Sequence, residues 1–181
     1  MILNQNDTVF FIIDVQEKLA NAVFNKQELL KKSEILAKAS DILQIPVVVT
    51  EQYPQGLGET VPEIKAHLSV DTKYFEKKDF NALADEKVLE TLKSYGKNQV
   101  VIWGIETHIC VHQTVASLLA NGFQVTLVAD SCGSRSEVEY NSAIKYMQNN
   151  GVSIKTTEMI LFELLKSAKH PNFKEVQTLI K

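Results

Sequence analysis

Cys110 closes the run Gly104-Ile105-Glu106-Thr107-His108-Ile109-Cys110. It stands just past the short apolar stretch Gln99–Trp103, which reads as a strand, and at the opening of a segment that is helical by pattern from Val111 to Asn121 and ends at Gly122. A thiol in the first turn of a helix lies among unpaired backbone N–H groups at the positive end of the helix dipole. Both favour thiolate over thiol, and the same N–H groups can stabilise an oxyanion. The competing reading of Cys110 is a small apolar residue packing a helix against a sheet. Asp14 ends the otherwise apolar FFIID, where a carboxylate serves either as a helix N-cap or as an acid/base. Phe75-Glu76-Lys77-Lys78-Asp79-Phe80-Asn81-Ala82 supplies a cation that would stabilise both carboxylate and thiolate, although a Lys-Lys pair also reads as a solvated surface.

Strand and helix patterns alternate along the whole chain, as in an α/β domain. Strands are expected at Thr8–Asp14, Pro46–Thr50, Thr72–Glu76, Gln99–Trp103, Gln124–Ala129 and Val152–Lys155. Helices are expected at Lys26–Leu43, Pro62–His67, Ala82–Tyr95, Val111–Asn121 and Glu137–Asn149, with one or two more in the tail, broken at His170-Pro171. Right-handed β–α units most economically make a three-layer Rossmann-like fold with a six-stranded, mainly parallel sheet of order 3-2-1-4-5-6. The ligand crevice then opens between strands one and four, which brings Asp14 to Cys110.

The 181 residues are read as one domain, 45% hydrophobic and 23% charged. A formal net charge of −3 gives no basic footprint for nucleic acid or an anionic membrane. Two cysteines outside any Cys-x-x-Cys arrangement point to a reducing compartment, and the opening residues lack a signal-like pattern, so the expected location is cytoplasmic. No apolar run reaches the roughly 20 residues needed to span a bilayer.

FFIIDVQEKL, EKKDFNAL, GIETHICVHQTVASLLANGFQV and VADSCGSRSEVEYNSAI together resemble the isochorismatase-like cysteine hydrolases. TEQYPQGLGETVPEI and HPNFKEVQTLIK add a closer likeness to the isochorismatase-domain-containing proteins. The resemblance implies a catalytic triad of Asp14, Lys77 and Cys110. Lys77 is favoured over Lys78 because the family's lysine stands three residues before a phenylalanine, here Phe80. It further implies a cis peptide at Ile105–Glu106, an oxyanion hole from the backbone N–H groups of Glu106 and Cys110, and a homo-oligomer. The implied chemistry is hydrolysis of a C–N bond in a small molecule through a covalent thioester. Vinyl-ether cleavage of the isochorismatase type is a second reading, and an interaction protein with little turnover a third.

Glu51, Gln52 and Tyr53 follow strand two on the same edge as the triad, and either shape the turn around Pro54 and Gly56 or contact substrate. Thr107, three residues before the cysteine, is placed with them as a substrate contact. His108 and His112 have a zinc-compatible spacing but no evident third ligand. The metal-binding aspartate and histidines that nicotinamidases of this family carry after strand two are absent from Thr50–Gly58, so no metal or cofactor is expected. Trp103 reads as core, Asp130 as a turn cap, Arg135 as a partner for an acid or a neighbouring subunit, and Cys132 as a structural thiol.

Overall fold

A computed structural model describes residues 2–181. Its centre is a pair of strands, β1 (Thr8–Ile13) and β4 (Gln99–Ile105), in which every residue is buried. Their continuous Val, Ile and Phe runs follow from helices covering both faces of the sheet. β1 pairs in parallel with β2 (Val47–Gln52) on one side and with β4 on the other. β3 (Lys73–Lys77) flanks β2, while β5 (Gln124–Gly133) and β6 (Ser153–Lys155) extend the sheet beyond β4, all in parallel. The order is therefore β3-β2-β1-β4-β5-β6, as the alternating pattern predicts.

The helices are α1 (Glu17–Ala20), α2 (Lys26–Ile42), α3 (Pro54–Leu57), α4 (Pro62–Lys65), α5 (Glu86–Ser94), α6 (His112–Ala120), α7 (Glu137–Asn149), α8 (Thr157–Leu165) and α9 (Phe173–Thr178). α2 buries Leu29, Ser33, Leu36, Ala37 and Ser40, one stripe at helical spacing. Trp103 is fully buried, with its ring edge-on to Phe10 at 5.4 Å, so its core assignment holds. Among the described residues no helix is long and apolar enough to cross a membrane.

Departures in five of the expected elements matter for the site. β2 runs on to Gln52 and β4 to Ile105, which carries the sheet closer to Tyr53 and Glu106. β3 starts and ends one residue later than expected, so Lys77 is its last residue. β5 continues to Gly133 because pairing with β4 shifts register after Ile102 and resumes at Gly104↔Cys132 and Ile105↔Gly133. The helix expected over Ala82–Tyr95 is split: the Asp85 side chain accepts the Lys87 N–H, making Asp85 the N-cap of α5 behind a 3-10 turn at Ala82–Ala84.

Candidate active site

Topology makes the site. β1 leads toward β2 and β3 while β4 leads toward β5 and β6, so the connections diverge at the carboxyl ends of β1 and β4 and leave a crevice there. Ile13 pairs with Gly104 at that end. A Cβ on Gly104 would overlap the Ile13 carbonyl, and its φ of +135° suits glycine, so the two strands approach this closely only without a side chain.

Asp14, the residue after β1, has a left-handed φ of +51°, a conformation aspartate tolerates better than most residues. Its N–H donates to Thr50 O at 3.1 Å, and its Oδ1 accepts the Thr50 hydroxyl at 2.7 Å. Oδ2 lies 2.6 Å from Lys77 Nζ. Asp14 is completely buried and Lys77 is 8% exposed. Lys77 Nζ also reaches Gln52 Oε1 at 2.6 Å and the carbonyls of Asp79 and Phe80 at 3.2 and 3.4 Å. Of the two adjacent lysines, Lys77 carries the ammonium that meets Asp14, and Lys78 lends its backbone carbonyl to Gln52 Nε2.

Cys110 reaches the same point from β4. The peptide between Ile105 and Glu106 is cis, and the chain then enters a π-helical turn, Thr107–Val111, before α6 begins at His112. The helical pattern therefore opens four residues earlier than its expected start at Val111, with wider turns that the 3.6-residue periodicity does not report. The largely buried Cys110 thiol interacts with both Asp14 and Lys77.

The electrostatics differ from the expectation of a thiol held low by helix dipole and lysine. Burial, joined by the Asp14 charge, pushes the Cys110 thiol up to about 12, and Lys77 opposes this without reversing it. The Cys110 thiol is thereby held toward its protonated form. Burial also raises Asp14 above the ordinary carboxylate range, against the pull of Lys77, Thr50 and Cys110. A carboxylate raised by burial and set beside such a thiol can exchange a proton with it.

The other candidate residues are differently occupied. Glu51 is buried, with Oε1 accepting both the N–H and the hydroxyl of Thr60 at 2.7 Å, so it holds the loop after β2. Thr107 is fully buried and donates to Gly133 O at 2.9 Å, tying the Cys110 turn to β5. The Gln52 amide is committed to Lys77 and to Lys78 O. All three side chains thus make internal hydrogen bonds: Glu51 and Gln52 from the two residues by which β2 outruns its expected end, and Thr107 from the turn that follows β4. Tyr53 remains half exposed, in a left-handed conformation with φ +37°, on a cavity of about 180 Å³ shared with Pro54, Gln55, Glu76, Lys77 and Lys78.

Glu106 pairs with Arg135 at 2.8 Å, and His108 Nδ1 meets Ser134 Oγ at 3.0 Å. His112 packs edge-on against Tyr146 at 4.9 Å. Among the described residues no group of three or more His, Cys, Asp or Glu side chains is placed to hold a metal ion. Asp130 Oδ1 accepts the Thr157 N–H and hydroxyl at 2.8 and 2.9 Å, capping the start of α8. Cys132 is fully buried, and burial pushes its thiol up to about 12.

Sequence reasoning passed over Thr50 and Gln16. Thr50 ends the apolar run PVVVT as its one hydroxyl, and Gln16 stands two residues after the strand-ending aspartate; a polar residue in such a place is the available signal.

An all-parallel sheet with this strand order, holding an Asp–Lys ion pair and a thiol at its switch point, is an α/β arrangement of the isochorismatase-like hydrolase fold. The isochorismatase domain profile matches residues 8–159, and the chain belongs to that family. It is 38% identical over 178 residues to isochorismatase domain-containing protein 2 of Xenopus laevis, spanning 98% of this chain and 85% of that protein. Among solved structures it is similar to the MAR1 ribonuclease of Caenorhabditis elegans, with TM-score 0.95 and 39% identity over 99% of this chain and 92% of that one. The YcaC gene product of Escherichia coli, described as an octameric hydrolase of unknown specificity, aligns with TM-score 0.89 and 25% identity over 98% of this chain and 95% of that one.

Proposed function

We propose that this chain is a cysteine hydrolase that cleaves a C–N bond in a small amide-type compound through a thioester on Cys110. The observation that carries the reading is the buried Asp14–Lys77 pair, 2.6 Å apart, whose two charges both act on the Cys110 thiol. The Asp14 carboxylate takes the thiol proton as sulfur attacks the substrate carbonyl. Because the thiol rests protonated, proton transfer accompanies attack rather than preceding it, and the fixed ammonium of Lys77 balances the anion that forms on sulfur. The tetrahedral oxyanion is received by the backbone N–H groups of Glu106 and Cys110. Collapse breaks the C–N bond, and the amine departs with the proton from Asp14. Asp14 then deprotonates water, which attacks the thioester; the acid is released and the sulfur recovers its proton.

Tyr53, half exposed beside Lys77, is the substrate-facing candidate that keeps a free surface. The protein is further read as a single domain at work in the cytoplasm, assembled as a homo-oligomer with no metal or cofactor; the octameric state of the Escherichia coli relative supports the assembly. The ribonuclease activity named for the Caenorhabditis elegans relative is not extended to this chain, whose net charge of −3 offers little counter-charge to a polyanion.

A screen of small amides with mass detection of an acyl adduct on Cys110 tests the reading. The adduct and hydrolysis are both expected to vanish in Cys110→Ser, and iodoacetamide is expected to label Cys110 well before the fully buried Cys132 in the folded protein. Hydrolysis that survives Cys110→Ser, or equal labelling of the two thiols, overturns it.

A further inference from the structure

Gln52 closes β2 with both ends of its amide engaged on the lysine side of the site. Oε1 is 2.6 Å from Lys77 Nζ, and Nε2 donates to Lys78 O at 2.7 Å. Its main chain is pinned in turn by a second amide, that of the fully buried Gln16. Gln16 Oε1 accepts the Gln52 N–H at 2.7 Å, while Gln16 Nε2 donates to Gln52 O at 3.0 Å and to Gly58 O.

An ammonium has three N–H donors to place. Gln52 Oε1 and the carbonyls of Asp79 and Phe80 accept hydrogen bonds from it, while Asp14 Oδ2 lies against it as the ion-pair partner. A lysine on its flexible four-carbon stem can swivel about a single ion-pair contact, and an acceptor fixed by its own hydrogen bonds removes that freedom. We propose that Gln52 is a positioning residue acting through Lys77: it holds the ammonium where one charge faces both the Asp14 carboxylate and the Cys110 sulfur. A neutral amide suits this role, because a carboxylate at the same place would compete with the sulfur anion for the cation. The inference rests on the Asp14–Lys77–Cys110 reading above.

The test compares the natural chain, Gln52→Met, Lys77→Met and the double variant. The readout is the pH profile of Cys110 alkylation by iodoacetamide, followed by mass, with thermal melting to verify folding. The charged groups facing the sulfur are Asp14 and Lys77, so the profile reports on that pair. Gln52→Met is expected to slow labelling about tenfold across the pH range below about 9 in which the chain is folded, the usual scale for a hydrogen bond to a charged group. The double variant is expected to be no slower than Lys77→Met, because Gln52 has nothing left to position. Effects that multiply in the double variant, or a folded Gln52→Met with the natural profile while Lys77→Met is slow, overturn this inference alone. An unchanged profile in Lys77→Met overturns it together with the triad reading. If Gln52→Met does not fold, Gln52→Asn, which withdraws the amide oxygen by one methylene, enters the same cycle under the same criteria.

Discussion

At Cys110 two opposing effects meet, and burial outweighs the cation. The thiol stands at about 12 although an ammonium faces it, because the pocket that dries the sulfur also holds the Asp14 charge against it. In the proposed reaction the proton therefore leaves sulfur as the substrate carbonyl is attacked. In the proposed mechanism Asp14 must be ionised to act as base, and burial lifts it above its usual 3.8. The hydrolysis rate, as kcat/KM, is therefore expected to fall as pH drops through this raised value, with its acid limb above the ordinary carboxylate range. In Asp14→Asn that limb should disappear along with at least about a hundredfold of activity, the usual contribution of a positioned base. A limb unchanged in Asp14→Asn would assign it to another group.

For the elements, the decisive contact is backbone on backbone. β1 and β4 converge at Ile13 and Gly104, where a methyl group would occupy the position of a carbonyl oxygen that neither strand can move. Gly104→Ala is expected to cost about 3 kcal/mol or more in denaturant unfolding, through clash and a disfavoured φ together. A loss below about 1 kcal/mol, the centre of ordinary point-mutant effects, would mean that the strands separate there more easily than their pairing implies. The turn bearing Cys110 is held from the side by the bond from Thr107 to Gly133, which exists because β5 extends past its expected end. The π-helical turn ahead of α6 thus carries the sulfur, following β4 directly in the chain and tied to β5 through Thr107.

For the whole molecule, stability should track the two buried thiols at high pH. Both stand at about 12 in the folded chain, against an ordinary 9.0, so between these values the unfolded chain releases protons that the folded one keeps. Stability is present below about pH 9 and is expected to be lost progressively as pH rises toward 12, as read by urea midpoints. A Cys132→Ala variant should flatten that decline, and an unaltered slope would refute the assignment. Assembly is a second expectation at this scale: light scattering should give a solution mass that is a multiple of the single chain, and a monomer at working concentration would count against it. The sequence by itself determined the strand order, the family, and the meeting of Asp14 with Cys110, because apolar strand runs and right-handed crossovers leave few topologies and the crevice of this one is fixed. Its motif also favoured Lys77 over Lys78, a choice the 2.6 Å contact to Asp14 matches. Only the tertiary structure decided that Gln52, Glu51 and Thr107 engage their side chains in hydrogen bonds within the protein, and that burial raises the Cys110 thiol. Those outcomes depend on where strands end to within a residue and on how dry the crevice is. Side-chain partners and desolvation are properties of three-dimensional packing, and the periodicity of a sequence carries neither.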